Sequence, residues 1–277
     1  MEGRRPAARR TALITGAGRG IGREIAIWLA KAGHPVGLTA RSADQLEETA
    51  ADIGGFGATA VAVPGDITDP RDVARIHAAV VSALGPVEIL VNNAGYAGPL
   101  RPFLELDEQQ WRTTLTTNVL GPVFCTQAVL PSMLERGRGH IVNVNSLQGS
   151  NPAGSPLSYG VSKAAVMRLT DGLAAQLDGT GVIVFDLSPG LVRTQMTAGR
   201  EDLERLPDSA WLPPDAAAHQ LVRLISGGYD ELHGRFVRAT DDLGALLERV
   251  RNDPDARRMR LASLPVAVAA DSAGGTA

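Results

Sequence analysis

The sequence predicts one doubly wound α/β domain on a single parallel sheet, and three observations lead there. Short β-branched or apolar runs alternate with segments of helical period from residue 11 onward. Seven such runs are joined one to the next through helical segments, which implies parallel strands covered on both faces. No internal repeat and no Pro/Gly/Ser linker divides the chain. Composition agrees: 277 residues with 44% hydrophobic and 21% charged content can bury a sizeable core, and they exclude disorder, collagen and fibre.

In order, residues 11–15 form the first strand. A helix over about 20–32 follows, closed by Gly33, and then a strand over 35–40 completes a βαβ unit. Ser42 and Gln45 fit a capping box opening a helix to residue 53. A strand over 58–64 precedes a helix opened by Asp69 and Pro70. Residues 87–91 read as a fully buried strand. A long helical stretch runs from 107 towards 134, interrupted by Gly121 and Pro122, and 140–144 resumes the strand pattern. Next come a helix over 158–177, a strand over 181–187, a helix after Pro213 and Pro214, and a last strand near 235–239. Residues 1–10 are expected to be a flexible basic leader, 11–240 the domain proper, and 241–277 a helix to about 261 followed by a loose tail. Residues 193–212 lack clear periodicity and are a candidate flap over a site.

The stretch Thr15-Gly16-Ala17-Gly18-Arg19-Gly20-Ile21-Gly22 leaves the first strand and opens the first helix. There, backbone N–H groups and the helix dipole can receive a pyrophosphate. Gly16 permits the turn, Gly20 lets backbone approach phosphates, and Gly22 allows close packing of the helix. A glycine-rich turn without a ligand is the plainer reading of an isolated match; the strand-turn-helix context favours the binding one. About 20 residues on, where an NAD enzyme places an acid against the ribose 2′-hydroxyl, stand Ala40 and Arg41. Guanidinium groups at Arg41 and Arg19, helped by Ser42, suit a 2′-phosphate and favour NADP(H) over NAD(H). In the competing reading Arg41 is a surface charge and Asp44 serves the ribose.

Tyr159 and Lys163 stand four apart near the start of a helix, on one face. Three tyrosines and two lysines in 277 residues make such a pair a chance event of about 2%. The chain otherwise uses arginine for its positive charge, and a compact ammonium fits beneath a ribose and a phenol where a planar guanidinium does not. A phenol with pKa near 10 needs help at neutral pH, and a cation ~5 Å away contributes about 3 kcal/mol, roughly two pKa units, at an effective dielectric of ~20. Lys163 is therefore expected to lower the Tyr159 pKa. A surface lysine beside a partly buried tyrosine is the alternative.

Together with these motifs, Asp66 after the third strand, Asn92-Asn93-Ala94-Gly95 after the fourth, Asn118, Ser146 thirteen positions before Tyr159, and Pro189-Gly190 resemble the short-chain dehydrogenase/reductase family over roughly residues 10–240. The resemblance implies a Rossmann-like fold. It also implies that Tyr159 protonates a carbonyl oxygen, that Ser146 hydrogen-bonds the same oxygen, that Lys163 binds the ribose, and that Asn118 holds a water in the proton path. Asp66 and Ile67 would lie at the adenine, Asn92, Ala94 and Gly95 along the cofactor, and Val192 and Thr194 at the nicotinamide amide. Gly18 and Ile21 belong to the same phosphate loop. Asn145 departs from the family pattern, where many relatives carry a small hydroxyl residue, and the charged segment after Ala239 is another departure. That extension is a candidate for shaping an entrance, a subunit contact or an edge cover.

The expected activity is NADP(H)-dependent reduction of a ketone or aldehyde, reversible as a secondary-alcohol dehydrogenase. The alternatives are a redox-neutral epimerase or dehydratase and a non-catalytic cofactor sensor. Tyr96, Leu100, Phe103, Leu147, Pro152, Leu157, Met196 and Trp211 are candidate pocket walls and hint at a partly apolar substrate. The resemblance suggests a homotetramer or homodimer. A net charge of -3 argues against nucleic acid, and no run reaches the ~20 apolar residues of a membrane span, so the cytoplasm is the expected location. Five histidines and one cysteine show no metal-ligand spacing, so no metal is expected, and Cys125 reads as a buried small hydrophobe.

Overall fold

The computed structural model describes residues 9–151 and 156–259. Seven parallel strands form one sheet in the order β3-β2-β1-β4-β5-β6-β7: β1 Thr11–Thr15, β2 Val36–Thr39, β3 Ala60–Ala62, β4 Val87–Asn92, β5 Gly139–Val144, β6 Val182–Ser188 and β7 Phe236–Arg238. The helices are α1 Gly20–Lys31, α2 Ala43–Gly55, α3 Pro70–Leu84, α4 Glu108–Leu115, α5 Gly121–Glu135, α6 Leu157–Leu177, α7 Glu201–Glu204, α8 Ala216–Leu224 and α9 Leu243–Asn252. The predicted alternation and the doubly wound sheet are both observed.

Alternation of side chains along each strand divides the core into two layers. Ile14, Ile89, Val142 and Phe185 pack towards α1, α8 and α9, while Leu13, Leu90, Ile141 and Val184 pack towards α3, α5 and α6. The strand order reverses between β1 and β4, and at such a switch point the carboxyl ends of the strands open a crevice.

Several boundaries differ from expectation, each for a local reason. Arg10 does not belong to a loose leader: its guanidinium meets His140 Nδ1 at 2.8 Å and bonds the Ile225 carbonyl, and its N–H donates to His34 Nδ1 at 3.3 Å. Residues 1–8 of the expected leader lie outside the described residues, as do Pro152 and the tail from 260. The helix after 241 ends at Asn252 instead of 261, because Pro254 cannot continue it. Its Leu243, Leu246 and Val250 join the core, and the turn behind it returns to β7, where Phe236 N–H donates to the Arg257 carbonyl. The stretch 193–212 is not without structure: it holds α7, a bridge between Val192 and Leu212, and Arg193 stacked 4.5 Å above Trp211 and ion-paired with Asp208. Cys125 is buried, and burial pushes its thiol up to about 12.

Candidate active site

Gly16 has φ +65°, and a Cβ there would lie 2.9 Å from Ala94 Cα. At Gly22 a Cβ would strike the Gly16 carbonyl oxygen at 2.3 Å, so this glycine seats the helix on the loop more than on the sheet. The loop is fixed from β4: Asn93 Nδ2 donates to the carbonyls of Thr15 and Gly16 at 2.8 and 3.2 Å, and the Thr15 hydroxyl accepts the N–H groups of Asn93 and Ala94, each at 3.0 Å. Arg19, the residue before α1, makes no side-chain cap, and the first turn of that helix carries no acid. Among the described residues no side chain caps its leading N–H groups, which leaves them and the helix dipole to face a pyrophosphate.

Downstream of β2, Arg41 is exposed, as is Arg19, and neither forms an ion pair among the described residues. Ser42 caps α2, accepting from Gln45 N–H at 3.4 Å. Asp66 accepts from Thr68 N–H and hydroxyl at 2.9 and 2.8 Å, so one carboxylate oxygen builds a turn at the end of β3. Ile67 is buried in the layer beneath α5, where a Cβ on Gly121 would meet its Cδ1 at 2.5 Å, so its side chain packs into the core. Asn92 is likewise turned from the loop: strand parity sends its amide inward to Asn143 Oδ1 at 2.9 Å and Thr126 Oγ1 at 3.3 Å. The neighbouring Asn93, absent from the predicted set, does the reaching.

Ser146 follows β5, with its hydroxyl accepting from Gln148 N–H at 3.2 Å. That contact holds a tight turn against α6: a Cβ on Gly149 would lie 2.7 Å from Ala164 N. On α6, the Tyr159 phenol is buried beside Ser146, whose hydroxyl favours its ionised form, and Lys163 Nζ stands 5.5 Å from the Tyr159 ring centroid, donating to the Val144 carbonyl at 2.8 Å. The electrostatics correct one expectation. Burial pushes the Tyr159 phenol up to about 12, and the group that pulls it down is Ser146, not Lys163. The ammonium is engaged by the Val144 carbonyl and is itself brought down by burial to about 8, with Asp186 opposing that fall.

Asn118 lies in a π-helical turn, Thr116–Leu120, between α4 and α5. In an α-helix its carbonyl would accept from residue 122, but Pro122 has no N–H, and the widened turn follows. The Asn118 side chain accepts from Tyr96 N–H at 2.7 Å and donates to the Tyr96 carbonyl and Ser162 Oγ at 2.8 and 2.9 Å, tying the loop after β4 to α6. The far wall comes from the chain after β6. Pro189 and Val192 are buried, and Gly190 has φ +76° under Leu212. Thr194 accepts from Met196 N–H at 3.2 Å. A Cβ on Gly20 would touch Thr194 Cγ2 at 3.5 Å, and one on Gly95 would touch Met196 Cε at 3.8 Å, so this wall closes over both the glycine loop and the end of β4. Among the described residues no group of His, Cys, Asp or Glu is arranged to hold a metal, and no helix is long and apolar enough to cross a membrane.

Comparison with known proteins agrees with this geometry. The short chain dehydrogenase family model matches residues 10–204. A short chain dehydrogenase of Pseudocercospora fijiensis is 33% identical over 268 residues, covering 90% of this chain and 85% of its own. An uncharacterized oxidoreductase of Staphylococcus epidermidis is 33% identical over 214 residues, covering 77% and 91%. A variant of the actinorhodin polyketide ketoreductase, solved with NADPH, is 31% identical with a TM-score of 0.79, covering 85% of this chain and 97% of that one. A short-chain type dehydrogenase/reductase from Mycobacterium marinum is 29% identical with a TM-score of 0.78, covering 84% and 94%. Sheet order, glycine loop and the placing of Lys163 against Tyr159 have the same explanation: this chain belongs to the short-chain dehydrogenase/reductase family of oxidoreductases.

Proposed function

We propose that the chain is an NADP(H)-dependent reductase of ketones or aldehydes, reversible as a secondary-alcohol dehydrogenase. The observation that carries this reading is the convergence of Ser146, the buried Tyr159 phenol and Lys163, whose ammonium stands 5.5 Å from the Tyr159 ring, at the strand ends beside the glycine loop. The loop and the open N-terminus of α1 suit a dinucleotide pyrophosphate, and NADPH bound there supplies the hydride. Ser146 accepts from Gln148 N–H through a lone pair, so its own proton can turn to a carbonyl oxygen when one is bound. With its pKa near 12, Tyr159 is protonated at neutral pH, the form that gives a proton to that oxygen as the alcohol forms. The phenolate left behind faces Lys163, whose positive charge offsets it, and Lys163 is also the group to hold the ribose hydroxyls. Asn118 would keep a water on the path that returns the proton.

Exposed Arg41 and Arg19, with Ala40 in place of an acid, support NADP(H) as the preferred cofactor. Tyr96, Leu100, Leu147 and Met196, each more than two-fifths exposed around the crevice, support a partly apolar substrate. A cytoplasmic homotetramer or homodimer is the expected form. The test is a panel of carbonyl compounds followed by loss of NADPH absorbance. Turnover supports the reading; NADPH binding without turnover supports a sensor, and conversion without net NADPH change supports an epimerase or dehydratase.

A further inference from the structure

Behind the reacting groups runs a buried chain of hydrogen bonds that the mechanism leaves unused. Asn145, just after β5, accepts from the Ser146 backbone N–H through its Oδ1 at 2.8 Å, and its Nδ2 donates to Asp186 Oδ1 at 3.0 Å. From α6, Thr170 Oγ1 donates to the same oxygen at 2.9 Å while accepting from Asn143 Nδ2 at 2.9 Å. Asn143 Oδ1 accepts from Asn92 Nδ2, also at 2.9 Å. The donors beyond Asn145 all point towards Asp186, and Asn145 adds its own, so the carboxylate gathers the chain. Strand parity places these side chains together on the sheet face beneath α5 and α6.

A carboxylate at 1% exposure is costly unless hydrogen-bonded and balanced by a cation. Lys163 stands two turns before Thr170 on α6 and bonds the Val144 carbonyl next to Asn145, while Thr170 and Asn145 both bond Asp186, so the two buried charges sit in one network and each opposes the other's displacement. Among the described residues the other groups facing them are uncharged: Asn92 on β4, Asn143 on β5, Asn145 just after it, Thr126 on α5 and Thr170 on α6, with the neutral phenol of Tyr159 one turn away. Asp171, beside Thr170, pairs with Arg168 and Arg258.

We propose that Asp186 is a positioning residue for the reaction assigned above: through Asn145 it fixes the main chain of Ser146, and its charge holds Lys163 as the ammonium. The proposal rests on the reading of Ser146 and Lys163 as reacting groups. It also gives a role to the amide at 145, which spans the gap between the serine turn and the buried acid. Burial raises Asp186 to about 7 and lowers Lys163 to about 8, each charge opposing the other's displacement.

The chain has two lysines, Lys31 and Lys163, so protein carrying 13C at lysine Cε gives two signals in an NMR titration without cofactor. Asp186→Asn retains an acceptor for Asn145 and Thr170 and removes the charge. It is expected to lower the Lys163 midpoint by about one pH unit and to leave Lys31 in place; an unmoved Lys163 overturns the proposal. Wild-type protein gives an answer independent of that variant's folding: its Lys163 signal should carry a second inflection, from Asp186, on the acid side of its own midpoint, and a single inflection across the acid range overturns the proposal. Asn145→Ala should lower kcat about tenfold with the NADPH Kd, read by fluorescence, unchanged; unaltered kcat overturns the Ser146 arm. Coupling of Lys163 to Asp186 in a protein that reduces no carbonyl would sink the reductase reading and leave the charge pairing standing.

Discussion

Asn93 Nδ2 donates to the Thr15 carbonyl at 2.8 Å, so the end of β4 holds the first turn of the glycine loop. The loop's shape thus depends on a residue some eighty positions away in sequence. Asn93→Ala should cost about 1–3 kcal/mol, the usual penalty for stranding a hydrogen-bond partner. It should also raise the KM for NADPH several-fold while kcat falls less. Chemical denaturation and cofactor-saturation kinetics read the two effects separately.

Tyr159→Phe removes the proton donor and keeps the ring. Turnover should fall by about 10²–10⁴ while NADPH affinity is retained, since general acid catalysis contributes on that scale. Stopped assays with fluorescence-measured cofactor binding distinguish this from loss of the site. Residual kcat within tenfold of wild type would remove Tyr159 from its role.

Arg41→Ala deletes an exposed guanidinium with no ion pair among the described residues, so its effect should appear in cofactor choice and not in stability. The ratio of kcat/KM for NADPH over NADH should drop at least tenfold, about the 1.5–3 kcal/mol of a charge-assisted bond. An unchanged ratio would assign the ribose end to Asp44 instead.

Acid should unfold the protein partly through His34. Its Nδ1 accepts from Arg10 N–H, which requires a neutral ring, and burial with the nearby Arg10 charge lowers it from 6.5 to about 4. Between those values the unfolded chain takes up a proton that the folded one refuses. The stabilisation is therefore complete above pH 6.5 and drains away as pH falls towards 4. Burial lowers His77 and His233 as well, so the loss is shared. Urea midpoints measured across this window should decline less steeply in His34→Gln, which keeps an acceptor and cannot charge.

Leu243→Ala should destabilise by about 2–5 kcal/mol, because this α9 residue is fully buried. Its effect on substrate KM should be negligible, since α9 packs on the core layer opposite α6. A KM change with little loss in Tm would instead place the extension at the substrate entrance.

Features encoded over a few residues were legible in the sequence. The glycine loop, the Tyr159–Lys163 spacing and the strand-helix alternation each depend on local periodicity or on a backbone that only glycine permits. What escaped depended on strand register. Whether Asn92 or Asn93 reaches the loop is decided by which face of β4 each occupies, and Asp186 gains a meaning only when β5 sets Asn143 beside it. The direction of the Tyr159 shift escaped for another reason: charge proximity was visible in the four-residue spacing, but the depth of burial that outweighs it was not.

The single cysteine offers a further use. With its sulfur enclosed between β4 and α5 neighbours and its thiol at about 12, Cys125 carries almost no thiolate in the folded protein. An alkylating reagent must then wait for the molecule to open, and its rate of capture becomes a clock for that opening. Any compound that occupies the crevice should slow the clock in proportion to its affinity, which turns one inert atom into a ligand screen needing no knowledge of the substrate.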